Sequence, residues 1–385
     1  MSELIIPAPQ ELTELLRRTR EFTESRIYPV EAKLSKGDAE SQQLNAKLQE
    51  EAKVAGLWAL GLPVEMGGGG LSMKSLFFVQ EEQGRSEFGN AIFGSSTRQD
   101  VLSLATYGSP ALKNRYLQSL VSSGQVPALS MTEPGTSGSD PSGLSAHARM
   151  DGAEWVINGH KWFITGADVA PYHTVMCRTG SNPTGRDAFS LLVVPQGTPG
   201  VQLVREMELM GLRRGHWEVR YENVRVPADY IVGGIGNAGV VAQARLAPGR
   251  LLHAARWIGQ ARRAFELMKA RLNERKAFGG LLRDKQLMQQ HVFDSAAEIE
   301  MCHLLGLATA ELLDQGDKAR VPVGMLKVVA SRMQQAVIDR AVQVFGSEAF
   351  IEESPLSVLY RTARLGRIYD GPDEVHIENV VGRLL

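Results

Sequence analysis

The chain has 385 residues and a mass of 42.1 kDa, room for two or three structural units at about 150 residues each. Its 42 lysines and arginines against 43 aspartates and glutamates leave a formal charge of −1, with no Lys/Arg run, so nothing in the charge calls for nucleic acid. Two cysteines, Cys177 and Cys302, exclude a disulfide framework and a cysteine-rich metal site.

MSELIIPAPQELTELLRRTREF lacks a basic-then-apolar leader, and no apolar run reaches membrane length, so a cytoplasmic protein without membrane insertion is expected. From residue 11 to about 125 the spacing predicts helices. ELTELLRRTREFTESRIYPVEAKL, NAKLQEEAKVAGLWAL, MKSLFFVQEEQGR and SPALKNRYLQSLVSSG carry apolar residues three and four apart, broken at proline and glycine. PVEMGGGGLS, residues 63–72, lacks the Gly-Lys-Ser/Thr ending of a phosphate-binding loop and reads as a connection.

At about residue 126 the period changes. SAHARM, AEWVI and HKWFITG alternate around Asp151-Gly152 and Asn158-Gly159, both read as hairpin turns. TVMCRTG, AFSLLVVP, VQLVREM and WEVRYENVRVP continue an antiparallel sheet to about 230. Gly234, Gly236 and Gly239 match GxGxxG, but they precede a long helical run instead of closing a strand–helix–strand unit, so they too read as a connection. Three segments then return to helical period, beginning at GRLLHAARW, KQLMQQHVF and VPVGMLKVV, each long enough to cross a bundle. The expected class is α+β, mostly α, in three domains: residues 1–125 all-helical, 126–235 barrel-like β, and 236–385 a helical bundle.

Chemistry concentrates in a few stretches. MTEPGTSGSD, residues 131–140, offers the hydroxyls of Thr132, Thr136, Ser137 and Ser139 and backbone amides made approachable by Gly135 and Gly138. Such a loop can wrap a polar cofactor edge; by composition alone it is more often a surface turn. In KWFIT, strand alternation puts Phe163 and Thr165 on one face, an aromatic wall beside a hydroxyl. Near the end, DGPDEVH sets Asp370 before a Gly-Pro corner, where Pro372 drives Gly371 out of the helical region and Asp373 and Glu374 read as first-turn acids of the last helix. The eight histidines show no metal-ligand spacing, so no metal is expected, and His376 reads as an ordinary helix residue. No GxSxG elbow supports hydrolase chemistry.

These stretches, together with RKAFGGLLRDKQ (275–286) and QVFG (343–346), stand in the order found in the acyl-CoA dehydrogenase family, which the chain resembles over nearly its whole length. The resemblance implies a helical N-terminal domain, a central β domain, a C-terminal four-helix bundle, and FAD lying extended between the last two. It implies Met131, Thr132, Ser139, Phe163 and Thr165 beside the isoalloxazine, with Pro372 and Glu374 on the flavin side. Arg275, Phe278, Gln286, Gln343 and Gly346 would hold the adenosine diphosphate end from a neighbouring subunit, which makes a homodimer or homotetramer the expected state. Ser139, Arg250 and Gly371 are the implied substrate contacts. Two positions depart from the family pattern: Ser347 stands where a second glycine is usual, and Ala277 replaces a frequent threonine.

Most of the family places a glutamate base where this chain has Asp370. The unbroken DGPDEVH is similar to the smaller aspartate-base branch resembling family members ten and eleven. Other relatives carry their base just before the arginine matching Arg250, but here that position is Gly249. The implied reaction is α,β-dehydrogenation of an acyl-CoA thioester to the trans-2-enoyl-CoA, with Asp370 taking the α-proton, FAD the β-hydride, and an electron-transfer flavoprotein as electron partner. An apolar pocket is expected to raise the pKa of the base toward neutrality. Oxidases of the same fold, acting on acyl-CoA or nitroalkanes, and a non-catalytic binding relative are the alternatives. Thr97, Arg98, Gln99 and Asp100 are polar for a helix that the resemblance places beside the acyl pocket, which is compatible with a polar or hydroxylated chain and equally with a solvent-facing helix.

Overall fold

The computed structural model describes residues 7–180 and 188–385; the first six residues of the leader reading lie outside them. The principal N-terminal helices are α1 (Thr13–Phe22), α2 (Ala39–Val54), α3 (Met73–Gly84) and α4 (Arg98–Tyr107). Their starts are specified locally. The Asp38 carboxylate accepts from Ser41 N at 2.9 Å to cap α2, and Ser72 accepts from Ser75 N at 3.1 Å to cap α3. α3 has a second cap from far along the chain, because Asp314 accepts from the amides of Met73 and Lys74 at 2.6 and 2.9 Å. That carboxylate ties the N-terminal helices to the C-terminal bundle.

Eight strands follow: β1 (Ala128–Ser130), β2 (His147–Asp151), β3 (Glu154–Thr165), β4 (Tyr172–Arg178), β5 (Phe189–Pro195), β6 (Val201–Leu209), β7 (Leu212–Pro227) and β8 (Ile231–Val232). They form one sheet in the order β6-β7-β3-β2-β4-β5-β8, with β1 beside β4. The sheet is antiparallel-rich but not uniformly so, since β1 and β2 both meet β4 in parallel. Asp151-Gly152 is a hairpin turn, with Gly152 at φ +64°, a conformation that suits glycine. Asn158-Gly159 is not. It lies inside β3 at a register shift against β7, where the Asn158 side chain accepts from Asn223 N at 2.9 Å. A Cβ on Gly159 would come within 2.5 Å of Ala146 Cβ, so the glycine marks close backbone approach, the other meaning of glycine in a strand.

The chain closes with α5 (Ala238–Glu274), a small hairpin of β9 (Lys276–Ala277) and β10 (Gly280–Leu281), then α6 (Gln286–Asp314), α7 (Arg320–Phe345), α8 (Pro355–Leu365) and α9 (Asp373–Leu384). α5 begins earlier than its apolar period indicates and runs through Pro248. The helical, β, helical order read from the sequence is the order of the fold. The N-terminal helices keep a small core of their own around Ile27, Leu48, Leu57 and Phe93, but they also pack into both neighbours: Val101 and Leu104 of α4 share one apolar cluster with the sheet, while Leu76, Phe77 and Phe78 of α3 share another with α5, α6 and α7.

Candidate active site

The 131–140 loop is fixed from beneath by an ion pair. Lys161 of β3 is fully buried and donates to Glu133 Oε1 and to the Met131 carbonyl, each at 2.8 Å, while Glu133 also accepts from Ser145 N, Ser145 Oγ and Ala146 N. Burial pushes the Glu133 carboxyl up, but Lys161 and the Ser145 donors outweigh it and its pKa is lowered, so the pair stays charged and satisfied. Thr132 bridges loop and strand, donating to the Trp162 carbonyl at 2.5 Å and accepting at its own carbonyl from Trp162 N at 3.0 Å.

Just beyond, β3 is irregular between Lys161 and Ile164, and Phe163 takes φ +55°. Ile164 points into the core, while Phe163, 42% exposed, and Thr165 face outward together as alternation requires. Across the pair on β7, His216 Nδ1 lies 3.0 Å from Thr165 Oγ1. On the same strand Trp217 pairs with core-facing Ile164 and packs against the sheet's core, while the Arg214 guanidinium lies over the Phe88 ring at 5.2 Å. The outward face thus sets an aromatic ring beside a hydroxyl and an imidazole, a flat wall with a polar edge that suits a flavin ring. The exposed Ser139 lies elsewhere on the loop, where it and Asp140 face Val375, Glu378, Asn379, Gly382 and Arg383 of α9 across a cavity of about 620 Å³.

The second half of the site is built where the turn between α8 and α9 crosses α5. Asp370 and Gly371 take φ +55° and +102°, two consecutive residues in the left-handed region. A non-glycine residue is held there only when its surroundings demand it. Here they do. The Asp370 carbonyl accepts from Arg250 Nε of α5 and from His376 Nε2 of α9, each at 3.0 Å. A Cβ on Gly371 would come within 2.7 Å of His376 Nε2, so the ring occupies that side of the turn. His376 is thus a buried support for the corner, not an ordinary helix residue.

The carboxylate of Asp370 meets a third side chain: His253 Nε2 lies 2.8 Å from Oδ2. Oδ1 accepts no hydrogen bond from the described residues, and the side chain is 27% exposed, so it is reachable. The surroundings overturn the expected apolar pocket. Burial acts to raise the Asp370 pKa, but His253, then Arg245 and Arg250, outweigh it and hold the carboxyl well below its usual range. A histidine donor and two arginines gathered on α5 explain the difference.

Asp373 is a first-turn acid of the last helix, as its sequence position indicates, and it carries further partners. It is fully buried at the start of α9, where it accepts from Arg332 at 2.9 Å and Arg367 at 2.8 Å, with buried Lys327 at 4.0 Å. Glu374 and Pro372 border the corner, Glu374 exposed and Pro372 half-buried.

The remaining sequence-derived residues lie at the other end of the bundle. Arg275 follows α5, Phe278 stands 97% exposed at φ +49° between β9 and β10, and Gln286, Gln343 and Gly346 are exposed at the ends of α6 and α7. Arg275 is held by its backbone, donating to the Arg271 carbonyl and accepting from Leu282 N, each at 2.9 Å. Along α5, Arg275 is about 25 residues from Arg250, roughly 37 Å at ~1.5 Å per residue. The chain thus brings Asp370, Gly371 and Arg250 together and the β3 wall together, but holds the Arg275 group apart from both. Sequence reading missed Arg245, His253, Arg256, Trp257 and Tyr369. The available signal was helical spacing from Arg250: positions 253, 256 and 257 recur at three- and four-residue steps on the same face.

Among the described residues no cluster of three His, Cys, Asp or Glu could hold a metal, and no helix is long and apolar enough to cross a membrane. Comparison with known proteins agrees with the geometry. Residues 9–124, 128–224 and 237–385 match the N-terminal, middle and C-terminal domain models of acyl-CoA dehydrogenases in turn. Mouse acyl-CoA dehydrogenase family member 10 is 34% identical over 97% of this chain, which spans only 37% of that longer protein. The probable acyl-CoA dehydrogenase FadE2 of Mycobacterium tuberculosis is 38% identical, covering 87% of this chain and 84% of its own. A candidate acyl-CoA dehydrogenase solved from Mycobacterium abscessus superposes with a TM-score of 0.92 at 34% identity, over 98% of this chain and 99% of its own. With three domain models matched in order along a fold whose β wall and C-terminal corner bear the motifs that suggested them, the chain belongs to the acyl-CoA dehydrogenase family.

Proposed function

We propose that the protein dehydrogenates an acyl-CoA thioester between its α and β carbons, with Asp370 as the base. The observation that carries this reading is the state of the Asp370 carboxylate: its backbone is fixed from two sides, one oxygen is engaged by His253, the other accepts nothing from the described residues, and the side chain is partly exposed. Oδ1 takes the α-proton. The guanidiniums of Arg245 and Arg250 beside it favour the ionised base before the transfer and the negative charge that develops on the thioester oxygen during it.

FAD fits the outward Phe163 ring and the Thr165–His216 pair of the β3–β7 wall; when bound, it supplies the acceptor for the hydride leaving the β-carbon. Met131, Thr132, Ser139, Phe163 and Thr165 would hold its ring side, with Pro372 and Glu374 nearby. Arg275, Phe278, Gln286, Gln343 and Gly346 lie too far along the bundle to serve the same site in one protomer, so they would hold the cofactor of a neighbouring copy, and the working unit is a homo-oligomer. Arg275 suits the task, as its planar fork matches phosphate oxygens. Ser139, Arg250 and Gly371 would contact substrate, and an electron-transfer flavoprotein is the expected electron partner.

The test is anaerobic mixing of the yellow protein with a panel of acyl-CoA thioesters. Bleaching of the flavin near 450 nm (roughly, as in flavins generally) by at least one thioester, lost in Asp370→Asn with the colour retained, is expected. Bleaching by nitroethane instead, or rapid reoxidation by air with peroxide release, would assign an oxidase.

A further inference from the structure

We propose that His253 is a positioning residue for this reaction: its Nε2–H pins Oδ2 of Asp370 so that Oδ1 is the oxygen turned to the substrate, and Arg256 keeps the ring in that tautomer. The inference rests on the reading of Asp370 as the base.

The argument starts from donor chemistry. His253 Nε2 lies 2.8 Å from Asp370 Oδ2, and its other ring nitrogen, Nδ1, is met by Arg256 Nη2. A guanidinium has five N–H donors and no acceptor, so Nδ1 must present its lone pair. In the neutral ring the proton is therefore on Nε2, which donates to the carboxylate. Burial and Arg256 both lower the His253 pKa and outweigh the opposing pull of Asp370, which agrees with a neutral ring. The same arrangement excludes His253 as a proton acceptor, since its single lone pair is already engaged.

The ring is also held in place mechanically. Trp257 stacks on it at 5.8 Å between centroids and 23° between planes, and Tyr369 lies against it at 5.1 Å. Trp257 Nε1 donates to the Tyr369 hydroxyl at 3.0 Å, closing a box between α5 and the residue just before Asp370. The other charged groups facing this corner do different work. Arg250 and His376 donate to the main-chain oxygen of Asp370, and Arg245 forms a two-point pair with Asp100 at 3.0 and 3.2 Å. Lys327 of α7 lies nearest Asp373, and Glu87 is bonded to Gln260. The backbone of the base thus has two supports, whereas its carboxylate receives one hydrogen bond, from His253.

Two substitutions separate the donor from the stacked ring. His253→Gln keeps an N–H near the Nε2 position and loses the ring; His253→Phe keeps the ring and loses the donor. In the FAD-loaded enzyme His253→Phe is expected to lower kcat by about 10²-fold, as a base displaced by ~1 Å does, with KM for acyl-CoA little changed. It should also move the acid limb of kcat/KM to higher pH, because removing the donor raises the pKa of Asp370. His253→Gln should stay within about tenfold of wild type and keep the acid limb in place. Equal loss in both variants, or none in either, overturns the proposal. Independently of variant folding, 15N-histidine spectra of the wild-type protein at pH 7.5 (roughly neutral, where an unperturbed ring is mostly uncharged) should show His253 protonated at Nε2 only. A proton on Nδ1 overturns it. Asp370→Asn is the control: if that variant turns over normally, the base assignment itself fails, whereas an inactive Asp370→Asn beside an unimpaired His253→Phe removes only the positioning role.

Discussion

Arg250 donates its Nε–H to the main-chain oxygen of Asp370 at 3.0 Å, so the arginine that the sequence assigns to substrate also supports the backbone of the base. Lysine carries the charge but not the fixed planar donor. Arg250→Lys is expected to lower kcat/KM by about 10- to 100-fold and stability by about 1–2 kcal/mol, the range for a lost charge-assisted hydrogen bond. Steady-state kinetics and denaturant titration measure the two separately.

Gly371 combines φ +102° with His376 where a Cβ would go. Gly371→Ala should therefore cost about 1–3 kcal/mol and displace Asp370. The expected readout is a lower urea midpoint together with a larger loss of kcat than of flavin content. A variant with wild-type stability would contradict the geometry.

Asp373 and Lys327 govern how stability follows pH. Burial pushes Asp373 up, but Arg367 and Arg332 outweigh it and its folded pKa is lowered. Its contribution is fully present above the ordinary carboxylate range and is lost as pH falls through the folded value. Asp373→Asn should cost about 3 kcal/mol at neutral pH by leaving its cations unpaired, and should flatten the acid side of the stability profile.

Lys327 shifts in the same direction for a different reason, since there burial disfavours the charged form. It is fully buried, its Nζ has no hydrogen-bond partner, and burial pushes its pKa down to about 8 despite Asp373. The folded state gives up that proton more readily than the unfolded chain, so stability should rise between about pH 8 and the ordinary lysine value of about 10.4. Lys327→Met should remove that rise, which chemical denaturation at several pH values will detect.

Phe278 is 97% exposed, so its removal should leave protomer stability unchanged within about 0.5 kcal/mol. If it holds a neighbour's cofactor, Phe278→Ser lowers flavin retained through gel filtration, and the thermal midpoint of the apoprotein does not move.

Local pattern made most of the architecture legible. Apolar period distinguished the helices from the sheet, and Asp151-Gly152 marked a true turn. Asn158-Gly159 carried the same local signal, but its glycine was required by Ala146 across the sheet, a contact invisible to a two-residue motif. Phe163, Thr165 and Asp370 were legible because their motifs are contiguous. The charge state of Asp370 was not, because it depends on Arg245, Arg250 and His253, more than 100 positions earlier in the chain. The place of Asp373 in the first turn of the last helix was legible, but its burial was not, for the same reason: Arg332 and Lys327 reach it from another helix.

The N-terminal helices contribute side chains to both neighbouring apolar clusters, α4 to the sheet and α3 to the bundle, and α3 is capped by Asp314. Excising any one segment would strip cover from the other two, and a hinge between sheet and bundle would have to shear two cores at once. One third of the molecule swinging away from the rest is therefore opposed by packing that the N-terminal helices share with both neighbours.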